Sequence, residues 1–200
     1  MEKGELGEVL DLGCFKSFYS QSHLYNPLLF KDGKQKNIKI TPIELNDGEM
    51  KFVQDLEKYL ANNQSDDFLK NTEIFLLRNK SKSGVGFFEE GGFYPDFILW
   101  ILKGDKQYIT FIDPKGILLL NPKTDSKINF YQTIKKKEKK LNDKNIILNS
   151  FIISNTEFSK YKNKWDKNND NLKDELEDKN VLFQEYQTYI EKMFCKIQDS

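Results

Sequence analysis

The segment FYPDFILWILKGDKQYITFIDPKG, Phe93 to Gly116, constrains the fold of this chain more than any other. Two runs rich in Phe, Ile, Leu, Trp and Tyr flank Lys103-Gly104-Asp105-Lys106, the pattern of neighbouring strands joined by a tight Gly-Asp turn. Runs this apolar suit strands covered on both faces, where a charge is costly unless it is paired or bound to an ion. Asp96, Asp113 and Lys115 nevertheless stand within or beside them. Strand alternation puts Asp113 and Lys115 on one face and Pro114 on the other. If the hairpin closes in its simplest register, Asp96 lies across from the Asp113 end of its partner. Two carboxylates and an ammonium then converge at one end of a sheet.

The rest of the chain supplies the layers for such a sheet. Asn46 or Asp47 can cap a helix. Phe52, Val53, Leu56, Tyr59 and Leu60 follow as an apolar stripe that fades at Asn62-Asn63. Residues 73–79, EIFLLRN, read as a strand. After Gly116, Asp125 or Ser126 can cap a second helix over about 127–141, and residues 145–154, NIILNSFIIS, are a buried-strand pattern. Residues 155–178 are polar and read as a loop or a solvated helix start. VLFQEYQTYIEKMFCKI reads as a closing amphipathic helix. Upstream, HLYNPLLF (His23 to Phe30) is an apolar patch, and NIKIT is a candidate short strand. The expectation is an α/β domain of three layers, α/β/α, around a mixed sheet of about four to five strands. The second helix serves as a crossover that makes part of the sheet parallel.

Two carboxylates brought together repel, and burying each one unpaired costs several kcal/mol. A hard divalent cation removes both objections, because Mg²⁺ takes oxygen ligands and commonly binds through one or two carboxylates plus waters. Pro114 offers a backbone carbonyl as a further oxygen. Lys115 can orient or deprotonate a water, or stabilise charge developing on a phosphate. Asp96 and Asp113 as metal ligands with Lys115 beside them suit metal-assisted hydrolysis of a phosphodiester. Mg²⁺ is the expected cofactor, with Mn²⁺ as its substitute.

Pro95-Asp96, a spacer and Asp113-Pro114-Lys115 resemble the PD-(D/E)xK signature of the restriction-endonuclease-like nuclease superfamily. The wording GVGFFEEGGFYPDFILWI…YITFIDPKGI, with LNDGEMKFVQDL upstream, is similar to the nuclease domain that follows the helicase motor in type III-like restriction subunits. The likeness runs over about residues 23–154. It implies a DNA endonuclease of a restriction or phage-defence system, with the core at 46–154, an N-terminal extension at 1–45, and a polar linker and C-terminal helix at 155–200. The superfamily often adds a glutamate from the first helix, for which Glu44, Glu49 and Glu57 are candidates. At about 100° per residue, Glu49 falls near the centre of the apolar stripe, so it is the choice for a catalytic and metal-binding acid. A plain acid favoured by the helix dipole is its alternative reading. In the KKKEKK run, Lys135, Lys136 and Lys139 are candidate contacts to DNA phosphates; a solvated helix face is the alternative.

The remaining features bound this expectation. No G-x-x-x-x-G-K-[ST] phosphate loop occurs. A helicase motor or specificity subunit is therefore expected either in cis, in a larger protein of which this is a domain, or in trans as a partner, and a homodimer is a further option. The formal net charge is zero, which gives no global attraction to a polyanion. No apolar stretch approaches the roughly 20 residues a membrane span needs. The acidic start MEKGELGEVLDLG lacks the cationic region of a signal peptide. Cys14 and Cys195 are expected to stay reduced, which with the rest points to the cytoplasm. His23, the only histidine, has no neighbours with which to hold zinc. A catalytically inactive DNA-binding or assembly module of the same fold is the competing expectation.

Overall fold

A computed structural model describes residues 45–79, 85–87 and 93–200, together with the backbone of three short strands nearer the N-terminus. Those strands are β1 (Val9–Asp11), β2 (Phe15–Phe18) and β3 (Leu28–Lys31), an antiparallel sheet of their own. His23, NIKIT, Glu44 and Cys14 lie outside the described residues.

The main sheet has five strands in the order β4 (Thr72–Arg78), β5 (Phe97–Lys103), β6 (Lys106–Lys115), β7 (Ile146–Ser154) and β8 (Val181–Phe183). Pairing is antiparallel from β4 to β6 and parallel from β6 to β8, so the sheet is mixed, as expected. The β5–β6 hairpin turns at Gly104 and Asp105, where Gly104 takes a φ of +56° that a side chain would oppose. That turn pairs Lys103 with Lys106 and therefore Phe97 with Ile112.

Helices cover both faces. On one, α1 (Asp47–Asn62) and α5 (Tyr189–Gln198) bury Phe52, Val53, Leu56, Met193 and Ile197 against Phe97, Leu99, Ile112 and Phe151. On the other, α2 (Phe130–Leu141) sets Phe130 and Ile134 on Ile98, Phe111 and Leu148. Beside it, α3 (Phe158–Trp165) and α4 (Leu172–Asp178) bury Tyr161, Leu172 and Leu176 against Ile152, Val181 and Phe183. The result is an α/β fold of three layers.

Three segments differ from the sequence reading. Residues 155–178 carry two helices, because their sparse apolar residues fall one turn apart and have the β7–β8 face to cover. VLFQEYQTYIEKMFCKI is not one helix. Val181, Leu182 and Phe183 leave α4 through Asn180, at a φ of +60°, and extend the sheet beside Ile152 to Ser154. Three consecutive buried apolar residues fit a short two-sided strand as well as the start of a helical stripe, and the open edge of β7 decides in favour of the strand. α2 also starts later than expected, at Phe130, because the Asp125 carboxylate accepts from Lys127 N at 2.9 Å and residues 126–129 are held in turns.

Thr110 and Asn149 face each other across β6 and β7. Thr110 Oγ1 and Asn149 Nδ2 are buried without a partner among the described residues. Burying a hydroxyl without a hydrogen bond costs about 1–3 kcal/mol. Thr110→Val, which removes it at equal volume, is expected to stabilise the protein by about 1 kcal/mol, read as a higher urea midpoint at unchanged slope.

Candidate active site

The hairpin register sets the centre of the site. One residue beyond the Phe97–Ile112 pair stand Asp96 and Asp113, side by side on adjacent strands and close enough that burial and the Asp113 charge together raise the Asp96 carboxyl. Asp113 is 4% exposed. Lys115 shares its face, and Nζ donates to Asp113 Oδ2 at 2.5 Å. Asp96 is fixed from behind by Asn79. Its main-chain N–H donates to the Asp96 carbonyl at 2.8 Å, and its amide donates to the Pro95 carbonyl at 2.8 Å and the Val85 carbonyl at 2.7 Å.

The fourth predicted residue arrives on α1. Asn46 caps this helix: its Oδ1 accepts from Glu49 N at 3.0 Å, and Glu49 Oε2 accepts from Asn46 N at 3.0 Å, closing a capping box. The same Oε2 accepts from Arg78 Nη2 at 3.2 Å. Glu49 is therefore buried at the site, but its carboxylate is held by its own helix terminus and by the end of β4.

These groups line one cavity of about 520 Å³, walled by Asn46–Glu49, Tyr94, Asp96, Asp113–Gly116 and Asn155. Asn155 was not legible in the sequence. Its N–H donates to the Lys115 carbonyl at 3.1 Å. Its side chain stands between Gly48 and Gly116, where added Cβ atoms would come within 2.9 and 3.3 Å of it. Only a glycine lets the start of α1 approach so closely. Gln184, buried after β8, donates to the Gly48 carbonyl at 2.8 Å and fixes the helix from the other side.

The lysine run is placed elsewhere. Because β7 runs parallel to β6, α2 must travel back along the sheet, carrying its C-terminal half away from Asp113. Leu148 N donates to Glu138 Oε2 at 2.6 Å, and Leu148 pairs with Ile109, four residues before Asp113, or about 13 Å along a strand. Lys135 is paired with Glu138 at 2.9 Å, while Lys136 and Lys139 are exposed. None of the three lines the cavity. Glu57 is buried on α1 and is also absent from it.

Three carboxylates sit close together beside two cations, and the electrostatics reflect it. Burial, the charges of Asp113 and Glu49, and the hydrogen bond to Asp113 push the Asp96 carboxyl up to about 7, against a smaller opposing pull from Lys115. Glu49 is also raised, chiefly by burial and in small part by Asp113, while Asn46 N–H and Arg78 hold it down. A carboxyl whose folded pKa exceeds its unfolded value weakens the fold as pH rises between the two values. In metal-free protein Asp96→Asn should therefore raise the melting temperature at pH 8 by about 4 °C and leave it unchanged at pH 3.5. Melting curves of the two proteins across this range provide the check.

Among the described residues no three His, Cys, Asp or Glu side chains are arranged to hold a metal ion. Glu49 Oε2 is engaged by Asn46 N and Arg78, whereas Asp96 and Asp113 stand side by side at the strand ends. That donor set fits a hard cation bound through two carboxylates and completed by waters. It does not fit zinc, for which nitrogen and sulfur ligands are the rule. No helix among the described residues is long and apolar enough to cross a membrane. Comparisons with protein-family models, with curated proteins and with solved structures find no match, so the chemistry of this cavity is read from its own residues.

Proposed function

We propose that this chain is a Mg²⁺-dependent deoxyribonuclease of the PD-(D/E)xK type, a cytoplasmic endonuclease domain or subunit of a restriction or phage-defence system. The observation that carries the reading is the Asp96–Asp113 contact across adjacent strands with Lys115 hydrogen-bonded to Asp113. The convergence of α1, β5, β6 and the end of β7 on one polar cavity supports it. Mg²⁺ or Mn²⁺ would be held by Asp96 and Asp113. When bound, it polarises a phosphoryl oxygen and acidifies a coordinated water.

The chain's own groups do the rest. Asp96, raised by burial and by the neighbouring charge of Asp113, would give up its proton on taking a cation. Lys115 exchanges its hydrogen bond to Asp113 for one to the attacking water or to the charge developing on the phosphate. Glu49, held by Arg78, would add negative field at a cation bound there. Zero net charge and the distance of the α2 lysines from the cavity leave weak intrinsic DNA affinity. A helicase motor, a specificity subunit or a second copy would supply the rest.

The closed Lys115–Asp113 pair favours one other reading, a DNA-binding or assembly module that does not cut. Incubation with closed circular plasmid and Mg²⁺ or Mn²⁺ separates the two. Nicking that disappears in Asp113→Ala and Lys115→Ala supports the nuclease. Plasmid retained on the protein but left intact, with Mg²⁺ and a helicase partner present, supports the module.

A further inference from the structure

The turn that follows the candidate catalytic strand has an unusual composition. Leu120 N donates to the Ile117 carbonyl at 2.8 Å, closing a tight turn with Leu118 and Leu119 at its corners. Such corners ordinarily carry Pro, Asp, Asn, Ser or Gly. Here they carry two leucines, 38% and 78% exposed. The turn is also held firmly from beneath. Trp165 Nε1 donates to the Leu118 carbonyl at 2.9 Å, and Tyr161 Oη donates to the Leu120 carbonyl at 2.7 Å. The carbonyls on either side of Leu119 are thus pinned to α3, while Ile117, buried, is tied by its N–H to Thr156 Oγ1 at 3.0 Å. A loop held this way presents its apolar corner in a fixed direction.

From these observations we infer that Leu118 and Leu119 form a wedge that enters the base stack of the nucleic acid cut at Asp96 and Asp113. The inference rests on the nuclease reading. Four residues of chain span at most about 14 Å, so Leu119 lies within about four base-pair steps of Lys115, a step being about 3.4 Å. The charges around the tip suit a phosphate backbone. Lys123 is exposed in the same loop, and Lys164 stands over the Trp165 ring at 5.5 Å. The one acid in this loop, Asp125, is turned onto Lys127 N. Exposed apolar side chains on a rigid mount are the means by which proteins part stacked bases and bend a duplex. A wedge beside the cavity would draw the scissile phosphate toward the carboxylates.

The test uses the full chain and short duplexes carrying 2-aminopurine at successive positions, with binding measured without Mg²⁺ and cleavage with it. The wild type should raise the fluorescence at a position within about four base pairs of the cut. Leu118→Ser/Leu119→Ser should abolish that rise and weaken binding at least about tenfold, since loss of burial of even one of the two leucines costs that much. Its melting temperature should be unchanged. Leu119→Met should keep the signal, because a wedge needs apolar bulk rather than leucine. A double variant that binds and cleaves like wild type, or a silent probe at every position, overturns the wedge and leaves the nuclease standing. A wild type that neither binds nor cuts DNA overturns both, and this shows in the wild-type arm alone. A double variant that converts a dimer to a monomer in sedimentation overturns the wedge in favour of a second copy of the chain.

Discussion

Asp113→Asn and Lys115→Met are expected to abolish cleavage for different reasons, and the difference is measurable. Asp113 is the most buried carboxylate of the site, the hydrogen-bond partner of Lys115 and the neighbour of Asp96 across the hairpin. Replacing it leaves one carboxylate facing an ammonium, a donor set that cannot hold a divalent ion among waters. Mn²⁺ binding should fall at least about a hundredfold, as when other metal-site groups are lost. Cleavage should fall below detection. Lys115 cannot ligate a cation, since an ammonium only donates. Lys115→Met therefore removes the group that acts on the water or the phosphate, and cleavage falls by roughly a thousandfold. The ion stays bound, and more tightly at pH 8, because a nearby positive charge has gone. Calorimetric titration of Mn²⁺ into each variant reads this directly. If Lys115→Met loses the ion as thoroughly as Asp113→Asn, Lys115 holds the site together instead of acting in it.

The largest effect on stability is expected at Arg78. Its guanidinium and the Glu49 carboxylate are 16% and 10% exposed at a separation of 3.2 Å. Breaking a buried pair by removing one partner leaves an uncompensated charge, at a cost of about 3–5 kcal/mol. Arg78→Met should approach the lower end, since Asn46 N still donates to Glu49. The loss does not stop at stability, because a third poorly balanced carboxylate then stands beside Asp96 and Asp113. Glu49→Gln should cost less, since its amide oxygen can still accept from Asn46 N. The double variant Arg78→Met/Glu49→Gln should recover about 2 kcal/mol of the Arg78→Met loss. Lowering pH should narrow the gap between Arg78→Met and wild type, because protonation of Glu49 removes the unpaired charge. Urea unfolding at pH 7.5 and pH 4 tests both statements.

The parts of the site that the sequence makes legible are those fixed by local geometry. A two-residue turn determines the register of β5 and β6, and the register determines that Asp96 and Asp113 meet. Alternation then determines that Lys115 joins them. The capping box of α1 also has a local signature, Asn46-x-x-Glu49, and it offers a second use for the glutamate chosen as a site acid. What the sequence hides depends on long-range packing. Arg78 and Glu49 are 29 positions apart, and no local pattern pairs them. Asn155 enters the cavity only because β7 lies parallel to β6 and ends at its level. The same parallel pairing carries the lysine run of α2 away from the carboxylates. β8 is three residues long, too short for periodicity to separate it from a helix.

One measurement reaches the central claim that Asp96 and Asp113 form a cation site: titration of Mn²⁺ into metal-free protein at pH 7 in two buffers of different ionisation enthalpy. An Asp96 carboxyl raised to about 7 is partly protonated there. Binding must displace that proton, since metal ligands bind deprotonated. The expected result is one bound ion with a fraction of a proton released, and no binding in Asp96→Asn or Asp113→Asn. Absence of binding at millimolar Mn²⁺, or equal binding by wild type and both variants, would contradict it.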